Sequence, residues 1–514
     1  MSDVPTASIP KSWIWARILD VATTATGGTP SRSMSTYFGG NIPWVKSGEL
    51  GDGHVFDTEE TLSELGLKSS NAKLFPKGTL CIALYGATVG KLGILEVDAA
   101  TNQAVCGLFL PDEVHRDFVF YYLASIRRHL IEQGKGGAQS NISNGLVRQT
   151  RIPIAPLTEQ RRIVAKIEEL FSDLDAGVAA LKRAKANLKR YRASVLKSAV
   201  EGKLTEQWRA KHPAKEPASA LLARILLERR QKWEADQLAK FAAAKKEPPK
   251  NWRDKYVEPL HETGRFELPE SWTWASTLEI CERVENGNTP PPNEMFEVDG
   301  EVPFIKVYNL TKNGSLDFSV KPTFVSQVTH ETLLGRSRIL PNDVLMNIVG
   351  PPLGKVSVVP NDYPEWNTNQ AVVLFRASMA VLPRYLAACL MCDDVMFWIT
   401  RTARATAGQS NISVGNSRIL PIPIPPAREQ AVIVETLDET LSQIDAAEMQ
   451  IEHGLIRASR LRQSILKQAF EGKLVPQDPR DEPASTLLAR LAENRTQVGQ
   501  SATKPKAARR KAMS

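Results

Sequence analysis

The sequence predicts an α+β protein: two similar globular α+β domains separated by two long antiparallel coiled-coil helical regions, related as a pseudo-twofold internal repeat. Three observations predict it. Most of the chain is written twice at a spacing of about 260 residues, which is domain-sized and not the 20–50 residues of a solenoid. Each copy opens with short β-type runs mixed with apolar helical stretches. Each copy then continues into an arm whose apolar and small residues alternate three and four apart, the seam of a coiled coil.

The first globular region is expected over residues 1–156. PKSWIWARILDV begins it at Pro10 and returns as PESWTWASTLEI at Pro269, an offset of 259. IPWVKSGEL at 42–50 answers VPFIKVYNL at 302–310, YGATVGKLGIL at 85–95 answers VGPPLGKVSVV at 349–359, and TNQAV recurs at 101 and 368. The offsets climb through 260 and 264 to 267, so this part differs by insertions and is rich in loops. Strands are predicted at LCIALYG and VLMNIVG, and apolar helices at 117–130 and 384–399.

The central helical region, 157–268, follows. From QSNIS at 139 and 409 through EGKL at 201 and 471 the offset holds at 270, as a helix requires, because an insertion would rotate every later side chain off its face. The first seam runs through Ile167, Leu170, Leu174, Gly177, Leu181, Ala184, Leu188, Tyr191 and Val195. A helix from 158 to 200 would be about 65 Å long at ~1.5 Å per residue. The second globular region is assigned to 269–426. The C-terminal helical region occupies 427–500, with its seam at Leu437, Ile444, Ala447, Ile451, Ala458, Leu461 and Ile465. Two such helices in one chain bury their faces best against each other. The segment 205–262 is longer than its counterpart after 475, and residues 501–514 form a basic tail expected to be disordered.

Composition narrows the function. No apolar run approaches the ~20 residues of a membrane span, the start lacks an apolar signal core, and five scattered cysteines suit a reducing compartment, so a cytoplasmic protein is expected. The net charge of +8 points to nucleic acid, but it is unevenly placed. Residues 182–215 carry +9 and the tail +5, leaving everything else at −6. That arm suits either a DNA backbone or an acidic partner surface, with a solvated helix face as the plain alternative for much of it.

The motifs argue against catalysis. Gly86 to Lys91 and Gly350 to Lys355 resemble a phosphate loop, but three residues separate the last two glycines, and Leu92 or Val356 stands where a magnesium-binding Ser or Thr is needed. Two readings stay open: a turn offering amides and a lysine to a phosphate backbone, or a hairpin with an exposed lysine. Glu201-Gly202-Lys203 and its copy at 471–473 suggest part of a nuclease site, yet they lie where a helix ends, and Gly202 and Gly472 read as C-terminal caps. Cys389 and Cys392 sit in an apolar run that reads as packing. Seven histidines without ligand spacing predict no metal site, and no nucleotide or S-adenosylmethionine fingerprint occurs, so no catalytic residue is assigned.

QSNIS is the remaining candidate. Gln, Ser and Asn can read base edges, and each copy lies in an acid-poor basic stretch. Identity between two otherwise diverged regions favours a structural turn or cap for Asn141 and Asn411. The candidate DNA-binding residues are Lys46, Lys91, Lys135, Gln139, Ser140, Arg148 and Arg151 in the first copy. In the second they are Lys306, Lys355, Arg401, Arg404, Gln409, Ser410 and Arg418.

QSNIS with its proline-spaced strand and Glu159-Gln160 or Glu429-Gln430, and the helix ends LKSAVEGKL and LKQAFEGKL, together resemble the DNA-specificity subunit of Type I restriction-modification systems. The resemblance covers nearly the whole chain. It implies a non-catalytic subunit whose two target recognition domains each read one half of a split DNA sequence, and whose helical regions dock two modification subunits. Adenine N6 methylation with S-adenosylmethionine would reside in those partners, and ATP- and magnesium-dependent translocation and cleavage in restriction subunits. The rival readings are a stand-alone sequence-specific methyltransferase or nuclease, and a coiled-coil scaffold without DNA specificity.

Overall fold

The computed structural model describes residues 8–134, 141–298, 300–350, 352–402 and 411–502, the side chains of 398–402 and 496–502 excepted. The basic tail from 503 therefore lies outside the described residues. The chain divides into two compact units. One comprises residues up to 181 together with those from 453 onward, and the other comprises 182–452.

The two long helices are Leu157–Val200 and Ala427–Phe470, each of 44 residues. Each ends at a glycine in the left-handed region, Gly202 at φ 71° and Gly472 at φ 69°. A side chain at either position would also collide with a proline, its Cβ falling 2.6 Å from Pro269 Cγ or 2.2 Å from Pro10 Cγ. Conformation and close approach both demand glycine there. The EGK carboxylates are tied to their own lysines, Glu201 to Lys203 and Glu471 to Lys473, at 2.7 Å each.

In the first unit, the two-stranded pairing of Ile14–Arg17 with Arg151–Ile154 ties the start of the globular region to its end, with Trp15 opposite Pro153. The second unit repeats it with Thr273–Ser276 and Pro421–Ile424, Trp274 opposite Pro423. Every strand in such a ribbon is an edge, so prolines that would break a central strand are tolerated. A five-stranded sheet in the order Thr23–Thr26, Val105–Phe109, Leu80–Ala83, Leu92–Leu95, Gly53–Val55 forms the first region's main layer. Its counterpart is four-stranded: Cys281–Asn286, Val372–Ala377, Val344–Asn347, Val356–Val358. A smaller sheet accompanies each, built on Phe38–Val45 and on Val302–Ile305.

The core of each unit joins a globular region to both long helices. In the first, Ile163, Ile167 and Phe171 from the start of one helix share a buried cluster with Ile465, Leu466, Ala469 and Phe470 from the end of the other. Phe470 meets Phe118 and Tyr122 edge-on at 5.2 and 5.1 Å between ring centres. In the second unit, Ile433 and Leu437 share a cluster with Val195, Leu196, Ala199 and Val200. Each globular region is thus completed by the helix end that belongs to the other copy in sequence. The ion pairs fix the direction: Arg192 meets Asp445 and Lys185 meets Glu452 in one unit, and Arg462 meets Asp175 in the other, so numbers fall on one helix as they rise on its neighbour. The helices run antiparallel.

Two sequence expectations need correction in detail. The helical stretches at 117–130 and 384–399 are each two helices, Arg116–Ser125 with Arg127–Gln133, and Pro383–Met391 with Asp393–Thr402. The second break has a local cause: Cys392 is extended (ψ 127°), and Asp393 and Asp394 then open a new helix where its N-terminal dipole favours acids. The seam is also interrupted, since Gly177, Tyr191 and Leu461 are exposed. A straight helix drifts ~20° per heptad from a strict seven-residue repeat, so some seam positions along the arm rotate out of the contact.

Candidate nucleic-acid interface

The Gly-Lys segment is a hairpin tip in both units. Leu80–Ala83 and Leu92–Leu95 pair antiparallel, the Gly90 amide donates to the Ala83 carbonyl at 2.8 Å, and Gly86 and Gly90 take φ of 90° and 77°. Val344–Asn347 and Val356–Val358 repeat the arrangement, with Gly354 donating to Asn347 at 3.2 Å and Gly350 and Gly354 at 85° and 72°. The paired positive φ values make this a strand-connecting turn rather than a loop before a helix.

Three other repeated segments gather around it. The Thr88 hydroxyl donates to the Ser47 carbonyl at 2.7 Å, joining the tip to the turn that carries Lys46. The Asn102 amide donates to Val45 and the Leu84 amide to Ala104, so TNQAV lies between that turn and the hairpin strand. The Ile142 amide donates to Leu84 at 2.7 Å, and Asn141 bridges Tyr85. In the second unit, Lys355 Nζ lies 3.5 Å from the Val307 carbonyl, Thr368 Oγ1 donates to Ile305, Ile348 donates to Ala371, Ile412 donates to Ile348, and Asn411 bridges Val349. Segments scattered over a hundred residues of sequence converge on one face of each globular region.

The predicted cations differ in how free they are. Lys46 reaches Glu59 at 2.7 Å and Glu60 at 3.1 Å, and these bonds raise its pKa. Arg32 and Lys46 together hold the Glu60 carboxyl down to about 2. Arg32 in turn lies over Phe38 and Trp44, 4.7 and 5.1 Å from their ring centres. Lys46 is therefore neutralised within its own domain. Lys91 and Lys306 are half-buried and have no ion pair among the described residues. Arg148 is exposed on the last turn of Asn144–Gln149. Arg151 is stacked over Trp15 at 5.3 Å, and Arg418 Nε donates to the Val284 carbonyl at 3.1 Å. Lys135, Gln139, Ser140, Arg404, Gln409 and Ser410 lie outside the described residues. Arg401 falls in the helix Asp393–Thr402, its side chain likewise outside them.

Asn141 and Asn411 take part through their backbones. The helix caps fall two residues later: the Ser143 hydroxyl accepts from the Leu146 amide and that of Ser413 from Asn416, both at 3.0 Å.

The other repeated residues build a buried joint. Trp13 Nε1 donates to Glu159 at 2.9 Å and Trp272 Nε1 to Glu429 at 3.0 Å. Gln160 accepts from the His115 amide and donates to the Ala155 carbonyl, and Gln430 accepts from Leu382 and donates to Ala380 and Pro425. All four Glu-Gln side chains are essentially fully buried. The repeated EPAS segments dock beside this joint, Ala218 donating to the Ser271 carbonyl and Ala484 to that of Ser12. Burial pushes the Glu159 carboxyl above its ordinary range, against the opposing bonds from Trp13 and Gln477. This is architecture, not chemistry. The five cysteines are buried, and burial pushes the thiols of Cys389 and Cys392 up, so the CxxC is packing. Among the described residues no three His, Cys, Asp or Glu side chains are grouped to hold a metal.

The model of the Type I restriction modification DNA specificity domain matches residues 10–184 and again 269–456, most of the chain. The chain belongs to this family. Among its relatives, the EcoKI specificity subunit of Escherichia coli K12 is 23% identical over 96% of this chain and 97% of its own length. The StySPI specificity subunit of Salmonella potsdam is 22% identical over 97% and 99%. A solved chain of a type I R-M system superposes with a TM-score of 0.64 at 18% identity, covering 91% of this chain and 99% of that one.

As a specificity subunit the protein is a non-catalytic, DNA-binding component. One pair escaped the sequence reasoning. Thr29 donates to Gln103, and Thr289 donates to Gln370, on exposed turns beside the Lys46 and Lys306 segments. The signal was present: Gly-x-Thr-Pro recurs at 27 and 287 with an offset of 260. Gly27 and Gly287 are required there, since a Cβ would fall 2.0 Å from the carbonyl oxygen of Thr101 or Thr368.

Proposed function

We propose that each globular region of this specificity subunit reads one half of a bipartite duplex target through the face on which the hairpin, the lysine turn, TNQAV and the Asn-Ile-Ser segment at 141–143 or 411–413 meet. The observation that carries this reading is the convergence of the same four motifs in two units whose intervening loops have diverged. Common backbone-positioning elements surround different reading surfaces, as expected of two related heads with different base preferences. Apart from the arm and the tail the chain is net acidic, so the heads bind weakly alone and draw affinity from partners or from the arm. The long helices set the gap between the half-sites and dock two modification subunits. Methyl transfer from S-adenosylmethionine to adenine N6 takes place in those subunits, and ATP-dependent cleavage in restriction subunits.

Methylome sequencing of cells expressing this chain with its modification partner is the test. A bipartite adenine motif with a fixed gap is expected, and a continuous motif would contradict the two-head reading. Replacing residues 10–156 by the matching region of a relative should change one half of the motif only. Four residues inserted near Ala184 should alter the gap or abolish assembly. An unchanged motif would remove the helices from any part in spacing. Methyl transfer by the purified chain alone would overturn the reading altogether.

A further inference from the structure

The sequence leaves open what the +9 arm faces. In the second unit its cations line a cavity of about 970 Å³. Lys182, Lys185, Lys189 and Arg192 come from the long helix, and Lys312 and Lys355 from the globular region, Lys355 being the lysine of the hairpin tip. Two of the six are consumed internally, Lys185 by Glu452 and Arg192 by Asp445 and Glu448. Lys182, Lys189 and Lys312 are exposed and have no ion pair among the described residues. Lys182 and Lys189 stand two turns apart on one helix, about 10.5 Å at ~1.5 Å per residue. One strand of duplex DNA passes roughly three phosphates over that length, at ~3.4 Å of axial rise each.

In the first unit several positions that match this lining carry other residues. The fixed offset of 270 puts Leu455 and Ser459 where Lys185 and Lys189 stand. Arg462, the counterpart of Arg192, is held by Asp175 and stacked on Phe171. An offset of 260 puts Asp52 in place of Lys312, and Asp52 is bound by Arg127.

We propose that this cavity is a phosphate clamp for duplex DNA, serving the half-site read by residues 269–426 and lacking beside residues 10–156. The clamp rests on the DNA-recognition reading above. DNA is favoured over an acidic protein surface because Lys355 belongs both to the cavity and to the face where the repeated motifs converge.

The test is the triple variant Lys182→Gln, Lys189→Gln, Lys312→Gln, purified with the modification subunits and titrated onto duplex carrying the methylated motif between 50 and 200 mM salt. Each phosphate contact contributes ~0.9 to the slope of log affinity against log salt, so the slope should fall by about 2.7 and the affinity lost over that range should shrink about 40-fold. Backbone footprinting should lose protection flanking one half-site and keep it at the other. An unchanged slope with subunit assembly intact overturns the clamp and leaves a solvated face. An unchanged slope with assembly lost overturns it in favour of a protein partner. Equal loss of protection at both half-sites overturns the one-sidedness. A wild-type complex that fails to prefer its motif overturns the DNA-recognition reading itself, and the clamp with it.

Discussion

The two buried glutamates of the Glu-Gln motif predict opposite responses to the same substitution. Glu429 accepts from Thr205 at 2.7 Å, from Arg209 at 2.6 Å and from Trp272 at 3.0 Å, with Arg209 and Thr205 on one oxygen and Trp272 on the other. In Glu429→Gln one oxygen becomes an amide nitrogen, so a buried donor loses its acceptor whichever way the amide turns, at a cost of ~1–3 kcal/mol. Arg209 also loses its charge partner. Breaking a fully buried pair costs ~3–5 kcal/mol, but Arg209 is one-fifth exposed and still donates to the Gly202 carbonyl. A total of ~3 kcal/mol follows, or about 5 °C in Tm for a unit of this size. Among the described residues Glu159 accepts from Trp13 and Gln477 alone. In Glu159→Gln the oxygen can keep Trp13 while the Gln477 amide turns to accept from the new NH2, and no charge is left buried. The change should be neutral or stabilising at pH 8. Because the folded pKa of Glu159 is raised, its ionised form destabilises the fold. That penalty is absent below the unfolded value near ~4.3, grows as pH rises between the two values, and is complete above the folded one. Any gain from Glu159→Gln should therefore fade toward pH 4.5. Calorimetry of the full chain measures all of this. The reasoning is refuted if Glu159→Gln costs as much as Glu429→Gln, or if its effect does not change with pH.

Gly202→Ala and Gly472→Ala force a Cβ into the left-handed region, at ~1–2 kcal/mol, and into a proline. Both should lower Tm, Gly472→Ala more because its contact is 2.2 Å against 2.6 Å, and equal melting curves would count against that ordering. Ser143→Ala should cost ~1 kcal/mol as a lost helix cap, while Asn141→Ala, whose role is through its backbone, should cost less. Thermal melting of the pair decides. Lys91→Gln should reduce the salt slope of DNA binding by ~0.9, whereas Lys46→Gln, already neutralised by Glu59 and Glu60, should leave it nearly unchanged. A larger effect at Lys46 would mean that its ion pairs open on binding.

Much of the frame was legible because it is periodic. The 270-residue register, the helix stops at Gly202 and Gly472 and the edge-strand prolines each follow from a local rule that needs no tertiary knowledge. The candidate site was legible only as fragments. Lys46, Lys91 and Asn141 are separated by 45 and 50 residues, and hydrogen bonds accepted by the carbonyls of Val45, Ser47 and Leu84 bring them to one face. Whether a lysine is free was not legible at all: Lys46 and Lys91 look alike in sequence, and only the carboxylates folded against Lys46 distinguish them. Nor could the sequence say that Ser143, and not Asn141, caps the helix, because both lie within reach of its first turn.

By itself the sequence determined that there are two copies, that each ends in a helix of fixed length, and that the usual metal and nucleotide motifs are missing. Tertiary structure alone decided which helix end completes which globular core, and that the arm's lysines share a cavity with the hairpin of the second. The reason is physical: an apolar seam is non-directional and can be buried against any matching face, so Phe470 and Val195 carry no local mark of the partner they meet. A charge likewise acts through whatever space places beside it.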